Sequence, residues 1–226
     1  MISVLIPAYN AEQFIGEAID SVLSQTFKDI EMIVVDDGSS DGTRAVVESF
    51  ADRVRYYRQE NAGAASARNH CVRLASGAYF AFLDADDVWA ADKLRLQILE
   101  LDSDPSLDAV FGMIRQVRQS EWSAAIMEEN VGQAELLKGY SQATMLIRRE
   151  SFLRVGMFSE ENKIGEFVDW LLRANEQGLR TKLMPDLFLW RRIHTSNVGI
   201  RNRSDVGDYV KILKRSIDRR RMKNSE

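Results

Sequence analysis

Short buried apolar runs alternate with stretches of helical spacing through the first hundred residues, and this alternation limits the fold more than any other feature. Ser3 to Pro7, Ile30 to Val35, Val54 to Arg58 and Tyr79 to Leu83 read as strands. Between them, Ala11 to Gln25 carries Phe14, Ala18, Val22 and Gln25 at helical spacing. A second helix, with Asp41 as its N-cap, continues to about Phe50, and a third runs from QENAGAASARN to about Leu74. A fourth, Ala90 to Leu101, would take Asp87 as its N-cap if the aspartates around it are only a solvated helix start. Strand and helix in short units imply βαβ crossovers, hence an α/β fold with a mainly parallel central sheet and helices on both faces. Such sheets bind ligands beyond the carboxyl ends of their strands, where Asp36, Asp37, Asp84 and Asp86 would lie.

The second half is less regular. Leu107 to Val117 and Ala143 to Arg148 are expected strands, with Arg118 to Gly139 a polar loop or flap between them. A short helix closed by Gly156 follows, then a helix from Phe167 to Gln177 stopped by Gly178. Thr181 to Met184 and Leu187 to Arg192 are two further strands, and Asp205 to Lys223 a last helix. With 226 residues the expected organisation is one domain over 1–204, in two halves (1–104 and 105–204), followed by a basic tail over 205–226.

A formal charge of −4 gives no reason to expect nucleic-acid binding. The single cysteine, Cys71, cannot close an internal disulfide, which fits a reducing compartment. MISVLIPAYN lacks a basic leader and is broken by Pro7, so it reads as a strand and not as a signal peptide. No apolar run reaches the ~18 residues of a membrane span. The expectation is a cytoplasmic protein.

FLDADDVW is the strongest local signal: Asp84, Asp86 and Asp87 close an apolar strand. Two such charges at ~4 Å repel by roughly 4 kcal/mol at an effective dielectric near 20, so the cluster calls for a positive partner. Oxygen-only ligands with no Cys or His nearby in sequence favour a hard cation, Mg²⁺ or Mn²⁺. The plainer alternative is a solvated helix start. VVDDGSSDGT has a capping and turn reading as well, yet two adjacent aspartates after a buried strand exceed what a cap needs. Trp89 reads either as a cover for the edge of a ligand or as a hydrophobic staple, and His70 and Cys71 read as packing residues.

Taken together and in order, VLIPAYN, VVDDGSSDGT, NAGAASARN, FLDADD, GEFVDWLLRANEQG and RRIHTSN resemble a family 2 glycosyltransferase of the GT-A fold, from residue 3 to about 199. The resemblance implies inverting sugar transfer from a nucleoside-diphosphate donor, with UDP favoured. It implies that Pro7, Ala8, Tyr9 and Asn10 line the nucleotide pocket, that Asp37 or Asp36 bonds the base, and that Asn61, Arg68 and Ala85 belong to the donor site. Asp84 would hold the ribose side, Asp86 the Mn²⁺ or Mg²⁺, and His194 and Arg191 or Arg192 the same metal or diphosphate from the opposite wall. The metal would then be the positive partner that the aspartates require.

The same family supplies its general base from a Glu-Asp pair at a helix start. Here Phe167 stands at the expected aspartate, leaving Glu166 as the chosen base and Asp169 as the alternative. The acceptor, whether glycan, lipid, metabolite or peptide, has no motif. Two competing functions are a non-catalytic nucleotide-sugar-binding module and a haloacid-dehalogenase-like phosphatase using Asp84 and Asp86. The early VVDD pair is in the wrong order for the phosphatase. The terminal helix sets Val210, Leu213 and Ile217 on one side and basic residues on the other. It is expected to be a solvated face, with peripheral contact to an anionic membrane as the alternative.

Overall fold

Period-two burial builds the centre of the molecule in the computed structural model, which describes residues 1–127, 136–162, 164–195, 197 and 207–223. In β1 (Ile2–Ala8), Ile2, Val4 and Ile6 enter one core layer and Leu5 the other. β2 (Ile30–Asp36) and β4 (Tyr79–Phe82) alternate likewise: Met32, Val34 and Ala81 face one side, Ile33, Val35, Phe80 and Phe82 the other. A strand buried on both faces is largely apolar, as these are, with Ser3 and Asp36 the fully buried polar residues among them. The first layer is covered by α1 (Ile15–Leu23), α2 (Thr43–Glu48) and α4 (Lys93–Ser103). The second is covered by α3 (Ala64–Leu74), α6 (Arg149–Val155) and α7 (Glu166–Glu176).

With β3 (Arg55–Arg58), β5 (Val88–Trp89), β6 (Ala109–Arg118), β8 (Leu146–Arg148) and β9 (Thr181–Ile193), the sheet order is β3-β2-β1-β4-β8-β6-β9-β5. β7 (Leu137–Gly139) pairs with β6. The first four strands are parallel. Beyond them β8 is antiparallel to β4 and β6, β9 parallel to β6, and β5 antiparallel to β9. The parallel half puts the ends of β1, β2 and β4 along one edge.

Several boundaries differ from expectation. The two strands expected at Thr181–Met184 and Leu187–Arg192 are one, because the register to β6 skips between Leu183 and Leu187 around Pro185, which has no N–H to donate. α1 begins at Ile15, after a turn in which Phe14 and Ile15 N–H donate to the Ala11 carbonyl. α4 begins at Lys93, so Asp87 does not cap it; Asp87 instead accepts from the Arg192 N–H at 3.0 Å. Trp89 neither covers a sugar nor staples a helix: it is buried, and its Nε1 donates to the Ala143 carbonyl at 2.8 Å. Gly42, not Asp41, precedes α2, although Asp41 still accepts from the Thr43 N–H at 3.0 Å. The expected flap contains α5 (Trp122–Met127) and β7, with 128–135 outside the described residues. The expected boundary at 204/205 and the expected helix start at Asp205 also lie outside them; α8 (Gly207–Lys223) is described.

Candidate functional site

Two turns at the ends of β1 and β2 are stitched together before any ligand is considered. Asn10 adopts φ +47°, its N–H donates to Ser39 Oγ (2.9 Å), and its Oδ1 accepts from the Ser40 N–H (2.8 Å). The Ala11 N–H donates to Thr43 Oγ1 at 2.8 Å. Gly38 has φ +79°, and a Cβ there would stand 2.9 Å from Asn61 N, so this turn requires glycine. Pro7 and Ala8 are buried in the sheet, whereas Tyr9 is 53% exposed beside the turn.

The adjacent aspartates have separate surroundings. Asp36 is buried and accepts from the Ser39 N–H at 2.8 Å and the Tyr56 hydroxyl at 2.7 Å. Asp37 accepts from Gln59 Nε2 (2.7 Å) and from the Ala62 (2.9 Å) and Gly63 (2.8 Å) N–H groups. Asn61 Nδ2 donates to the Asp37 carbonyl at 2.9 Å. Both carboxylates thus hold the loops around the β2 end.

At the end of β4, Arg68 of α3 is almost fully buried and bridges two acids. Nη2 donates to Asp84 Oδ1 at 2.6 Å and Nη1 to Glu166 Oε1. Burial opposes the guanidinium charge, but the two carboxylates outweigh it, so its pKa is raised. Gln142 Nε2 lies 3.2 Å from Asp84 Oδ2. One positive partner of the aspartate cluster is therefore a protein arginine. Asp87 is buried, and loss of hydration together with the neighbouring Asp86 and Asp84 pushes its pKa well up. Asp86 is pushed up as well, by burial first and then by Asp84. Ala85 is buried in the core.

The opposite wall comes from the end of β9. His194 Nε2 and Asn197 Nδ2 each lie 3.0 Å from Asp86 Oδ2, and Asn197 Oδ1 accepts from the His194 N–H at 2.7 Å. Arg192 is buried and committed to the protein. It donates to Glu17 Oε2 (2.7 Å), the Asp86 carbonyl (3.1 Å) and Gln119 Oε1 (3.1 Å), and its guanidinium lies 3.8 Å from the Trp122 ring centroid and 4.9 Å from that of Phe14. It reaches the aspartate loop through a backbone oxygen. Its neighbour Arg191 is exposed, and its charge partly opposes the rise in the Asp87 pKa.

A carboxylate oxygen and an imidazole nitrogen form a donor pair that Mn²⁺ accepts. Asp86 and His194, with side chains 26% and 11% exposed, are open enough to offer it. Among the described residues no group of three or more His, Cys, Asp or Glu converges on one point. The pair therefore fits a two-point hold whose remaining ligands would be donor oxygens and water.

The two candidate bases take different partners. Glu166 turns to Arg68, joining α7 to the aspartate loop. Asp169 is buried, and its Oδ2 accepts from Arg173 Nε at 2.9 Å, with Arg219 of α8 3.8 Å from Oδ1. Phe167, between them, is buried and stacked on Trp170 with centroids 6.1 Å apart. Sequence reasoning did not single out Gln142, Asn197, Glu17 or Trp122. Asn197 stood inside a quoted motif, but the other three carried no signal, because their partners lie 58 or more residues away.

The profile described as Glycosyl transferase family 2 matches residues 3–160. Over 100 residues the chain is 49% identical to the UDP-Glc:alpha-D-GlcNAc-diphosphoundecaprenol beta-1,3-glucosyltransferase WfgD of Escherichia coli, covering 43% of this chain and 40% of that protein. It is 31% identical over 212 residues to the uncharacterized glycosyltransferase EpsJ of Bacillus subtilis, covering 84% of this chain and 61% of that one. The chain thus spans less than two thirds of these relatives. S. aureus TarS 1–349 in complex with UDP-GlcNAc superposes with TM-score 0.70 at 23% identity, over 87% of this chain and 59% of that one. Mannosyltransferase PcManGT from Pyrobaculum calidifontis, in complex with GDP-Man and Mn²⁺, superposes at 0.65 and 24%, over 87% and 58%. At these identities the superpositions establish the fold, that of GT-A glycosyltransferases.

Proposed function

This chain belongs to glycosyltransferase family 2, and from that premise we propose that it moves a sugar from a nucleoside-diphosphate donor to an acceptor hydroxyl in one inverting displacement. The observation that carries the reading is the bridge Glu166–Arg68–Asp84, which ties the start of α7 to the aspartate loop at the strand ends. UDP is the proposed nucleotide, supported by the names of WfgD and of the TarS complex. In this reading Tyr9, Asn10, Asp37 and Asn61 surround the base, with Asp36 bracing the turn. Asp84 lies toward the ribose, and Arg192 holds the loop at Asp86.

Mn²⁺ or Mg²⁺ would be held by Asp86 and His194, and when bound supplies positive charge to the departing diphosphate; the Mn²⁺ in the PcManGT complex supports a divalent ion. The acceptor oxygen bonds to the anomeric carbon as the bond to diphosphate breaks, and its proton passes to a carboxylate. Glu166 is the proposed base: Arg68 takes its Oε1, leaving Oε2 for the acceptor. Asp169, spent on Arg173, braces α7. The cytoplasmic placement drawn from Cys71 remains part of this reading.

The test is a panel of nucleotide sugars with Mn²⁺, measuring binding and donor hydrolysis. Glu166→Gln should keep UDP binding and lower transfer by at least ~10². No binding by any donor would sink the reading. Binding without turnover, unchanged by Glu166→Gln, would favour a non-catalytic donor-binding module. That alternative draws on Phe167, a core residue where the family resemblance implies an acid.

A further inference from the structure

The last described helix, α8, is attached to the protein the wrong way round for an ordinary surface helix, whose apolar stripe faces the core. Its docking face is largely polar. Ser216 Oγ donates to Glu176 Oε1 (2.5 Å), Arg219 Nε to Glu176 Oε2 (2.6 Å) and Arg215 Nη2 to Asn162 Oδ1 (2.8 Å), with Ile212 the buried apolar contact. The apolar residues Val210, Leu213 and Ile217, spaced three and four apart, are instead 65%, 51% and 50% exposed. At 100° per residue they form one outward stripe, with Lys214 and Arg221 along one edge and Arg220 along the other, all exposed.

We infer that this outward face of α8 docks on an anionic lipid bilayer. A contiguous apolar stripe turned to solvent marks an interaction surface, and basic flanks select its partner. The helix carries seven Lys or Arg against two Asp, in a chain whose formal charge is −4. A second copy pairing through the same face would set those basic edges against each other, because a two-fold interface meets itself. Beside the Lys214 edge lies a groove of about 450 Å³ lined by Glu161, Asn162, Lys211, Lys214, Arg215 and Asp218. Asn162 Nδ2 is buried there with no hydrogen-bond partner among the described residues, a donor that a headgroup phosphate oxygen can satisfy. Ile212 and Tyr209 also pack against Gly165, where a Cβ would stand 2.9 and 3.0 Å from them. The docking surface thus begins beside the helix turn that carries Glu166.

Vesicle flotation tests this without any donor, so its outcome is independent of the sugar-transfer reading. The purified chain should float with vesicles of phosphatidylcholine plus phosphatidylglycerol, not with phosphatidylcholine alone, and binding should fall steeply with salt. Leu213→Ser combined with Ile217→Ser should abolish flotation, and Lys214→Glu should reduce it at least ~5-fold. These side chains are exposed, so melting temperatures should stay unchanged, and each variant is melted to check. Flotation that is absent, equal on both vesicle types or insensitive to the stripe variants overturns the inference. So does stripe-dependent self-association in sedimentation velocity without lipid binding, which would identify a second copy as the occupant. Displacement from vesicles by inorganic phosphate at matched ionic strength would mark a free-phosphate site and overturn it equally.

Discussion

Glu166 and Asp169 are three residues apart, yet the chain uses them differently. Asp169 faces Arg173 in a buried pair, and removing its charge leaves that cation poorly compensated. Asp169→Asn is therefore expected to lower stability by about 1–3 kcal/mol in urea unfolding, with UDP affinity unchanged in the folded fraction. Unchanged stability with a hundredfold loss of transfer would exchange the roles proposed for the two acids. Asp86 makes a different prediction. If it and His194 hold the cation, UDP should raise the melting temperature more with Mn²⁺ than with EDTA, because a ligand of the native state stabilises it. Asp86→Asn should remove that metal increment and leave the EDTA value in place. Retention of the full increment would show that the cation is held elsewhere.

At the scale of elements, the wall that carries Arg192 and His194 depends on how closely β6 and β9 approach. A Cβ on Gly112 would stand 1.9 Å from Phe188 Cδ2, and Phe188 is fully buried. Gly112→Ala should cost about 3 kcal/mol through overpacking. Phe188→Leu in the same chain should recover part of that loss, read as a return of the melting temperature. The effect reaches the site because β9 runs directly into Arg192 and His194. No recovery would mean that backbone strain, not the ring, sets the cost. Arg192 belongs to this scale too: clamped between Trp122 and Phe14, it ties α1, α5 and the aspartate loop to the end of β9.

For the molecule as a whole, Glu31 contributes to the acid limb of stability, beside other carboxylates held low such as Asp108 and Glu176. Burial raises its pKa, but Ser3 Oγ, the Ser76 N–H and hydroxyl, and Arg55 all donate to its carboxylate and bring it down from 4.5 to about 2. A folded pKa below the unfolded one contributes stability that is fully present above pH 4.5 and lost as pH falls toward 2. That contribution is on the order of 2–3 kcal/mol. Glu31→Gln should lower stability at neutral pH and flatten its decline over this window; a parallel acid limb in the variant would remove Glu31 as the cause. No described helix is long and apolar enough to cross a membrane.

The sequence by itself determined the two-faced parallel half of the sheet, the aspartates at the ends of β2 and β4, and the motif order that identifies the family. These follow from local periods, two in strands and 3.6 in helices, and from residues adjacent along the chain. Tertiary structure alone decided which partner each charged group takes. Arg68 meets Glu166 across 98 residues, and Arg192 meets Glu17 across 175. No local pattern could show that Asp169 pairs with Arg173, or that Asp84 already has an arginine. Amphipathic spacing in α8 was legible too, but its orientation was not. Glu176 and Asn162 dock the polar side of that helix and turn Val210, Leu213 and Ile217 outward, because long-range hydrogen bonds and the Arg219–Glu176 ion pair, not the apolar stripe, hold it in place.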